Sequence, residues 1–177
     1  MAKCDYCEIA KKKIKAEVVY EDDKVIAVVK DLATALGQIC VLPKEHYTIL
    51  ELVPNEVVDH LFRIVNKLSM AIFESLGVQG TNIIVNNGTA AGQEVPHFCV
   101  EIIPRKEGDG LNFEWKPKQL MEEEMDTAFL MLKEEGDKII ITKEEKKEKV
   151  FHDEKTEMIV EKEGEENYLL KQLRRLP

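Results

Sequence analysis

One run of apolar residues constrains the fold of this chain more than any other feature of its sequence. Its apolar side chains recur every three or four positions, which places them on one face of an α-helix. Pro54 suits the first turn of this helix, and Gly77 suits the position just after its end. The helix would be about twenty residues long and would pack one face on a sheet. The stripe consists of Val57, Leu61, Ile64, Val65, Leu68, Ile72 and Leu76.

Five shorter stretches have the composition of β-strands, with β-branched residues between turn signals. They cover residues 17–21, 25–30, 38–42, 82–85 and 95–103. The first three lie close together in the chain, which indicates an antiparallel meander. Together with the helix they predict an α+β fold, an antiparallel five-stranded sheet carrying one long helix. We assign this domain to residues 1–117.

The last third of the chain differs in composition from the first two thirds. Residues 118–136 predict a second helix, and charged residues dominate from 143 to 166. We interpret that charged segment as a linker or small hairpin, followed by a short amphipathic helix over residues 167–176. Residues 118–177 are therefore predicted to form a C-terminal extension, which could bind a protein partner.

Composition excludes several classes of function. The net charge of −9 argues against a nucleic-acid backbone as the main partner, because phosphate binding needs a basic face. No apolar run reaches the roughly 18 residues of a transmembrane helix, so no membrane span is predicted. The first seven residues, Met-Ala-Lys-Cys-Asp-Tyr-Cys, lack the apolar region of a signal peptide. We therefore expect a cytoplasmic protein.

Two cysteines near the start of the chain have the spacing of a metal or redox motif. Cys4 and Cys7 form C-x-x-C, and this two-residue gap is usual for zinc ligands. Histidines complete many zinc sites, and His46 and His97 lie at the ends of predicted strands, where a metal can reach them. The four residues form a candidate structural zinc site. A redox pair is the alternative, although such a motif normally opens a helix that follows a strand.

Polar side chains interrupt the last predicted strand. Alternate residues of a strand face opposite sides of the sheet. A polar row that directly follows a glycine-containing loop indicates a functional site rather than packing. The two faces are predicted to carry His97, Cys99 and Glu101 on one side and Phe98, Val100 and Ile102 on the other.

Several segments, taken together, resemble the histidine-triad (HIT) family. They are Val-Tyr-Glu-Asp-Asp at 19–23, Val-Leu-Pro-Lys-Glu-His at 41–46, Asn-Asn-Gly at 86–88, Ala-Gly-Gln-Glu-Val-Pro-His at 91–97 and Ile-Pro-Arg at 103–105. The resemblance implies a homodimer that binds purine nucleotides. Family members cleave phosphoramidates or dinucleoside polyphosphates through a covalent nucleotidyl-histidine. Many microbial members carry zinc at positions that match the four candidate ligands above.

The resemblance also implies where a nucleotide would lie. Asn86 and Gln93 match residues that contact the α-phosphate. The loop that contains Gly88 and Gly92 is expected to present backbone N–H groups to an anion. Two further positions would contact the base and the ribose: Ile9 would flank the base, and Lys30 stands where many members have a residue that meets the ribose hydroxyls.

The chain departs from the family where the chemistry takes place. The family pattern His-x-His-x-His reads His97-x-Cys99-x-Glu101 here, so Cys99 occupies the nucleophile position. A free thiol is only a few per cent ionised at neutral pH, and the negative charge of Glu101 would raise its pKa. Gln38 likewise stands where the family has a histidine after Gly37. Cys99 is best interpreted as a buried thiol on a pocket floor, with redox sensing as an alternative.

The sequence therefore predicts a zinc-containing, HIT-like protein that binds a purine nucleotide, or a small molecule containing one, and is catalytically impaired. Two alternatives stay open. The protein could be an active nucleotidyl hydrolase or transferase that uses Cys99 on a nucleoside phosphoramidate or dinucleoside polyphosphate. It could instead be an interaction scaffold that works through its C-terminal extension.

Overall fold

An antiparallel sheet of five strands forms the centre of the computed structural model, which describes residues 4–112 and 115–139. The spatial order is β1-β2-β3-β5-β4, so the last strand lies between the third and the fourth. This arrangement confirms the predicted α+β class and the predicted five-stranded sheet. The strands are β1 Val18–Glu21, β2 Val25–Val29, β3 Ile39–Pro43, β4 Gly80–Ile84 and β5 Val100–Arg105.

Among the residues described, three α-helices accompany the sheet: α1 Asp5–Ala10, α2 Asn55–Leu76 and α3 Glu122–Gly136. The long helix α2 follows Pro54 and ends at Gly77, whose φ of 56° is the left-handed conformation that glycine adopts at helix ends. None of the described helices has the length and apolar character needed to cross a membrane. The buried residues of α2 belong to the predicted stripe: Val57, Leu61, Ile64, Val65 and Ile72.

The two faces of the sheet pack against different partners. Alternate residues of β2 and β3, such as Ala27 and Val41, join the apolar stripe of α2 in the main core. The other face carries a second apolar cluster, formed by Ile26, Val28, Cys40 and Leu42, against which Tyr6 and Ile9 of α1 pack. Because both faces of the sheet are covered, the sequence of β2 is a continuous run of apolar residues and does not alternate between apolar and polar residues.

The predicted boundaries of two elements are wrong. Residues 95–99 were predicted to be strand but are not. Their backbone N–H groups form other hydrogen bonds, from His97 N to Val95 O at 2.7 Å and from Phe98 N to Tyr47 O at 2.6 Å. At its other end, β5 continues to Arg105 instead of ending at residue 103, and it includes Pro104. Helix α3 begins at Glu122 instead of residue 118, and the side chain of Glu124 caps it by accepting the N–H of Met121 at 3.1 Å.

The described chain falls into two units, one that reaches Gly110 and one that begins at Leu111. Within the second unit, α3 exposes its large apolar side chains, including Met125, Phe129 and Leu132. The predicted hairpin and the terminal helix over residues 167–176 lie outside the described residues. The predicted domain limit after residue 117, and a protein partner for the extension, stay predictions.

A hydrogen-bonded carboxylate connects the β1–β2 turn to α2. Asp22 Oδ1 accepts the backbone N–H groups of Lys24 at 2.8 Å and Val25 at 2.7 Å. Its Oδ2 accepts from the Tyr20 hydroxyl at 2.7 Å and from His60 Nε2, on α2, at 2.6 Å. Burial raises the pKa of this carboxyl, but the four hydrogen bonds outweigh it and lower the pKa from 3.8 to about 2.

This depressed pKa predicts acid-sensitive stability. The contribution of Asp22 is fully present above pH 3.8 and is lost as pH falls through about 2. We expect Asp22→Asn to lower the free energy of unfolding by up to about 2 kcal/mol at pH 7. The difference in free energy of unfolding between the variant and the native protein should then shrink between pH 4 and pH 2. Urea unfolding across that range measures this difference. A difference that does not change with pH would show that the charge of Asp22 is not its source.

Candidate metal centre and ligand cleft

Four side chains from three separate segments converge on one point. Cys4 and Cys7 lie at the start of α1, His46 follows β3, and His97 precedes β5. Because β3 and β5 are neighbours in the sheet, their ends bring the two histidines together, with ring centroids 5.1 Å apart. One donor atom from each residue lies within 4.8 Å of all the others. The structure thus assembles the four predicted ligands into a group that could hold a metal ion.

The distances within this group fit tetrahedral zinc. Cys4 Sγ lies 3.4 Å from His97 Nδ1, and Cys7 Sγ lies 3.2 Å from His46 Nδ1 and 3.5 Å from His97 Nδ1. Sulfur and nitrogen bound to one tetrahedral zinc at about 2.3 and 2.05 Å would be about 3.6 Å apart. Two sulfurs and two nitrogens are also a common ligand set of structural zinc sites.

The environment of His97 favours the form that binds metal. Its Nε2 lies 2.9 Å from the backbone oxygen of Pro43, so that nitrogen donates its hydrogen and leaves Nδ1 as the electron-pair donor. Burial lowers the pKa of His97, against the raising effect of the Pro43 carbonyl, and so favours the neutral imidazole. The ring also packs edge-on against Tyr6, with centroids 5.9 Å apart.

A cavity of about 200 Å³ lies beside the second apolar cluster. Among the residues with a predicted role in catalysis or nucleotide binding, those lining it are Lys30, Asn86, Gly92, Gln93, Cys99 and Glu101. Gly88 and Ile9 do not line it. Ile9 packs instead against the apolar cluster, while Tyr6, three residues earlier on the same face of α1, reaches the cavity. The predicted polar row is therefore divided, with Cys99 and Glu101 in the cavity and His97 in the metal group.

A hydrogen-bonded ion pair occupies one side of the cavity. Lys30 Nζ lies 2.8 Å from Glu101 Oε1, and Gln38 Nε2 donates to Glu101 Oε2 at 2.6 Å. The buried Gln38 is itself oriented, because its Oε1 accepts the N–H of Thr34 at 2.7 Å. Both oxygens of Glu101 accept N–H donors, which is the arrangement of an ionised carboxylate. Burial lowers the pKa of Lys30, but the hydrogen bond and charge of Glu101 raise it more.

The thiol of Cys99 is influenced from across the sheet as well as by its own strand. A hydrogen bond with Cys40, which lies on β3, lowers the pKa of Cys99, while burial and the charge of Glu101 raise it. The net direction is down. The predicted effect of Glu101 is present, but the hydrogen bond with Cys40 and the charge of Lys30 outweigh it, and the contact with Cys40 forms only in the folded sheet.

The loop after β4 uses most of its polar groups to hold itself together. Gln93 Oε1 accepts the N–H of Gly88 at 2.8 Å, and its Nε2 donates to Thr48 O at 2.7 Å and Val95 O at 2.9 Å. The N–H of Gly92 also bonds within the loop, to Thr89 O at 3.0 Å. These contacts leave few of the N–H groups that were expected to meet an anion.

Asn86 differs from the other predicted phosphate ligands. Its side chain lines the cavity and has no hydrogen-bond partner among residues 4–112 and 115–139. An amide in that position can donate to and accept from a ligand. The cavity also has walls that were not predicted, formed by Tyr6, Thr34, Gln38, Glu94 and Val95. Gln38 was foreseeable, because it stands where the family has a histidine after Gly37.

Known proteins share both the sequence and the fold described above. An uncharacterised HIT-like protein of Methanocaldococcus jannaschii is 40% identical over 107 residues, covering 60% of this chain and 82% of that protein. The adenylylsulfatase HINT3 of Arabidopsis thaliana is 37% identical over 108 residues, covering 61% of this chain and 55% of that protein. This chain therefore spans little more than half of the plant protein.

A solved structure adds a comparison of the fold. The zinc-bound histidine triad family protein from Mycobacterium smegmatis superposes with a TM-score of 0.60 at 29% identity, covering 75% of this chain and 96% of that one. The family model of the HIT domain matches residues 11–108, which is more than half of the chain. On the sequence match and the shared sheet, this chain belongs to the HIT family.

Proposed function

We propose that this protein binds a purine nucleotide, or a small molecule containing one, in the cavity and does not turn it over. One observation carries the proposal: the Glu101 carboxylate is held between Lys30 and Gln38. An ionised carboxylate accepts hydrogen bonds but has no proton to give to a leaving group. The position that a catalytic acid would need is therefore occupied by a carboxylate whose two oxygens both accept hydrogen bonds.

We also propose that the four converging residues hold a structural zinc ion. Zinc would tie the start of α1 to the ends of β3 and β5 through Cys4, Cys7, His46 and His97. Tyr6 lies between the two cysteines and forms part of the cavity wall. The ion would therefore shape the ligand cleft without taking part in chemistry. The homodimer and the cytoplasmic location implied by the sequence stay part of this proposal.

A second candidate function is an active nucleotidyl hydrolase or transferase with Cys99 as nucleophile. The observation in its favour is that the Cys99 side chain lines the cavity, where a ligand could reach it. The plant relative at 37% identity is an adenylylsulfatase, so release of AMP from nucleotide substrates is the activity to test in this chain.

Two measurements decide between these functions. Calorimetry with AMP and GMP should detect binding of at least one purine nucleotide in the micromolar range. Release of AMP from adenosine phosphoramidate and diadenosine polyphosphate should stay at background for the native protein and for Cys99→Ala. Turnover in the native protein that Cys99→Ala abolishes would establish the second candidate. No heat with any purine ligand at millimolar concentration would exclude the binding function.

A further inference from the structure

The charged side chains that line the cavity do not form an ordinary phosphate site. Phosphate sites offer unpaired cations or a group of free N–H donors. Here the charged lining residues are Lys30, Glu94 and Glu101. Lys30 and Glu101 neutralise each other at 2.8 Å, so Glu94 leaves the described lining with a formal charge of −1.

The ammonium group of Lys30 is held by Glu101 rather than displayed to a ligand. Both side chains are largely buried, with 25% and 18% of their surfaces exposed. Gln38 orients the second oxygen of Glu101 from inside the protein, so this carboxylate has a fixed position. A phosphate that took Lys30 away would leave a partly buried carboxylate short of its cation, which is unfavourable.

The polar groups left for a ligand are mainly neutral. The Asn86 amide lines the cavity and is unpaired among the described residues, and Thr34 also lines it. The Gln93 amide, by contrast, is fully used in holding the loop. Amides and hydroxyls suit sugar hydroxyls and base edges.

The size of the cavity brings any ligand close to the carboxylate. Its volume of about 200 Å³ lies below the roughly 300–1,000 Å³ of common ligand pockets. A ligand in this space lies close to Glu94 and to the Lys30–Glu101 pair. The uncompensated charge of Glu94 would repel a phosphate, and Lys30, being paired with Glu101, would not offset that repulsion.

We propose that this cavity selects purine nucleosides and nucleotide esters of low negative charge over ligands with a dianionic phosphate, and that Glu101 determines this selectivity. The inference rests on the proposed function, that the cavity binds a purine ligand. It adds the charge class of that ligand. Glu101 acts by keeping Lys30 paired, so that the ammonium charge is not available to a phosphate.

Calorimetry of the native protein with adenosine, AMP and ATP, without divalent cations, tests the order of affinities. Adenosine should bind at least tenfold more tightly than AMP, and ATP should bind more weakly than AMP. Lowering the ionic strength should increase the ratio of adenosine affinity to AMP affinity, because the repulsion between the phosphate and the negative cavity is then less screened. Attraction between phosphate and a free cation would give the opposite dependence on salt.

Two substitutions assign the selectivity to the ion pair. Glu101→Gln keeps the size of the side chain, removes the charge and frees Lys30, so AMP affinity should rise at least tenfold relative to adenosine affinity. Lys30→Gln should weaken AMP binding further. Glu74→Gln is the matched control, because it removes one negative charge from an exposed position on α2 and should alter neither affinity by more than twofold.

The outcomes separate this inference from the function on which it rests. AMP binding as tight as adenosine binding in the native protein would overturn the selectivity and leave the binding function standing. A ratio of affinities unchanged in Glu101→Gln would remove Glu101 as its cause. Absence of binding by all three ligands would reject the proposed function itself. If Glu101→Gln does not fold, the native ligand series and its salt dependence still decide.

Discussion

Replacing Cys4 with serine should abolish binding of the proposed zinc ion and lower the free energy of unfolding by about 4 kcal/mol, the stabilisation expected when free zinc is roughly 1,000 times its dissociation constant. The substitution keeps the size of the side chain but takes away a thiolate ligand. Helix α1 spans six residues, which is too short to be stable without tertiary support. Without the ion, the segment that carries Tyr6 should separate from the sheet, and purine binding should weaken with it.

Zinc content by plasma mass spectrometry and urea unfolding of the same samples measure these effects together. A chelator should lower the stability of the native protein and leave Cys4→Ser unchanged, because only the native protein has an ion to lose. Cys99→Ser is the matched control, since it removes a thiol outside the metal group. Equal zinc content in native protein and Cys4→Ser, or a chelator effect in Cys4→Ser, would show that this residue is not a ligand.

The second large effect is expected in the core between α2 and the sheet. Leu61 is fully buried and packs in the same cluster as Val41 and Val100. Leu61→Ala should lower the free energy of unfolding by about 3–4 kcal/mol, since it removes buried surface and leaves a cavity. Alanine is the strongest helix former, so the loss would report packing rather than helix propensity.

Met70→Ala is the control for the core substitution. Met70 lies on the same helix but is 49% exposed, and its truncation should cost less than about 1 kcal/mol. Urea unfolding gives both values, and an unchanged slope against denaturant would show that the denatured state is the same. Similar losses for the two variants would mean that the two sides of α2 contribute alike to the core.

The sequence alone determined those features that depend on periodicity or on spacing along the chain. The apolar stripe of α2 could be recognised in the sequence because residues three and four positions apart share one face of a helix. This holds whatever surface the helix packs against. The strands and the α+β class followed from β-branched composition between turn signals. The four candidate ligands were recognisable because Cys4 and Cys7 have the spacing of a zinc pair and His46 and His97 lie at predicted strand ends, and the family resemblance matched the same four positions.

Only the tertiary structure decided how the polar residues are used. Lys30 and Glu101 are 71 positions apart, and their ion pair exists because β2, β3 and β5 lie side by side. Gln93 was expected to meet a phosphate, but its amide holds the loop through contacts that include Thr48, 45 positions away. Residues 95–99 likewise do not join the strand, because the N–H of Phe98 bonds to the carbonyl oxygen of Tyr47 instead. Hydrogen bonds and charges act over a few ångströms in directions that spacing along a chain does not specify, so the character of the cleft had to come from the fold.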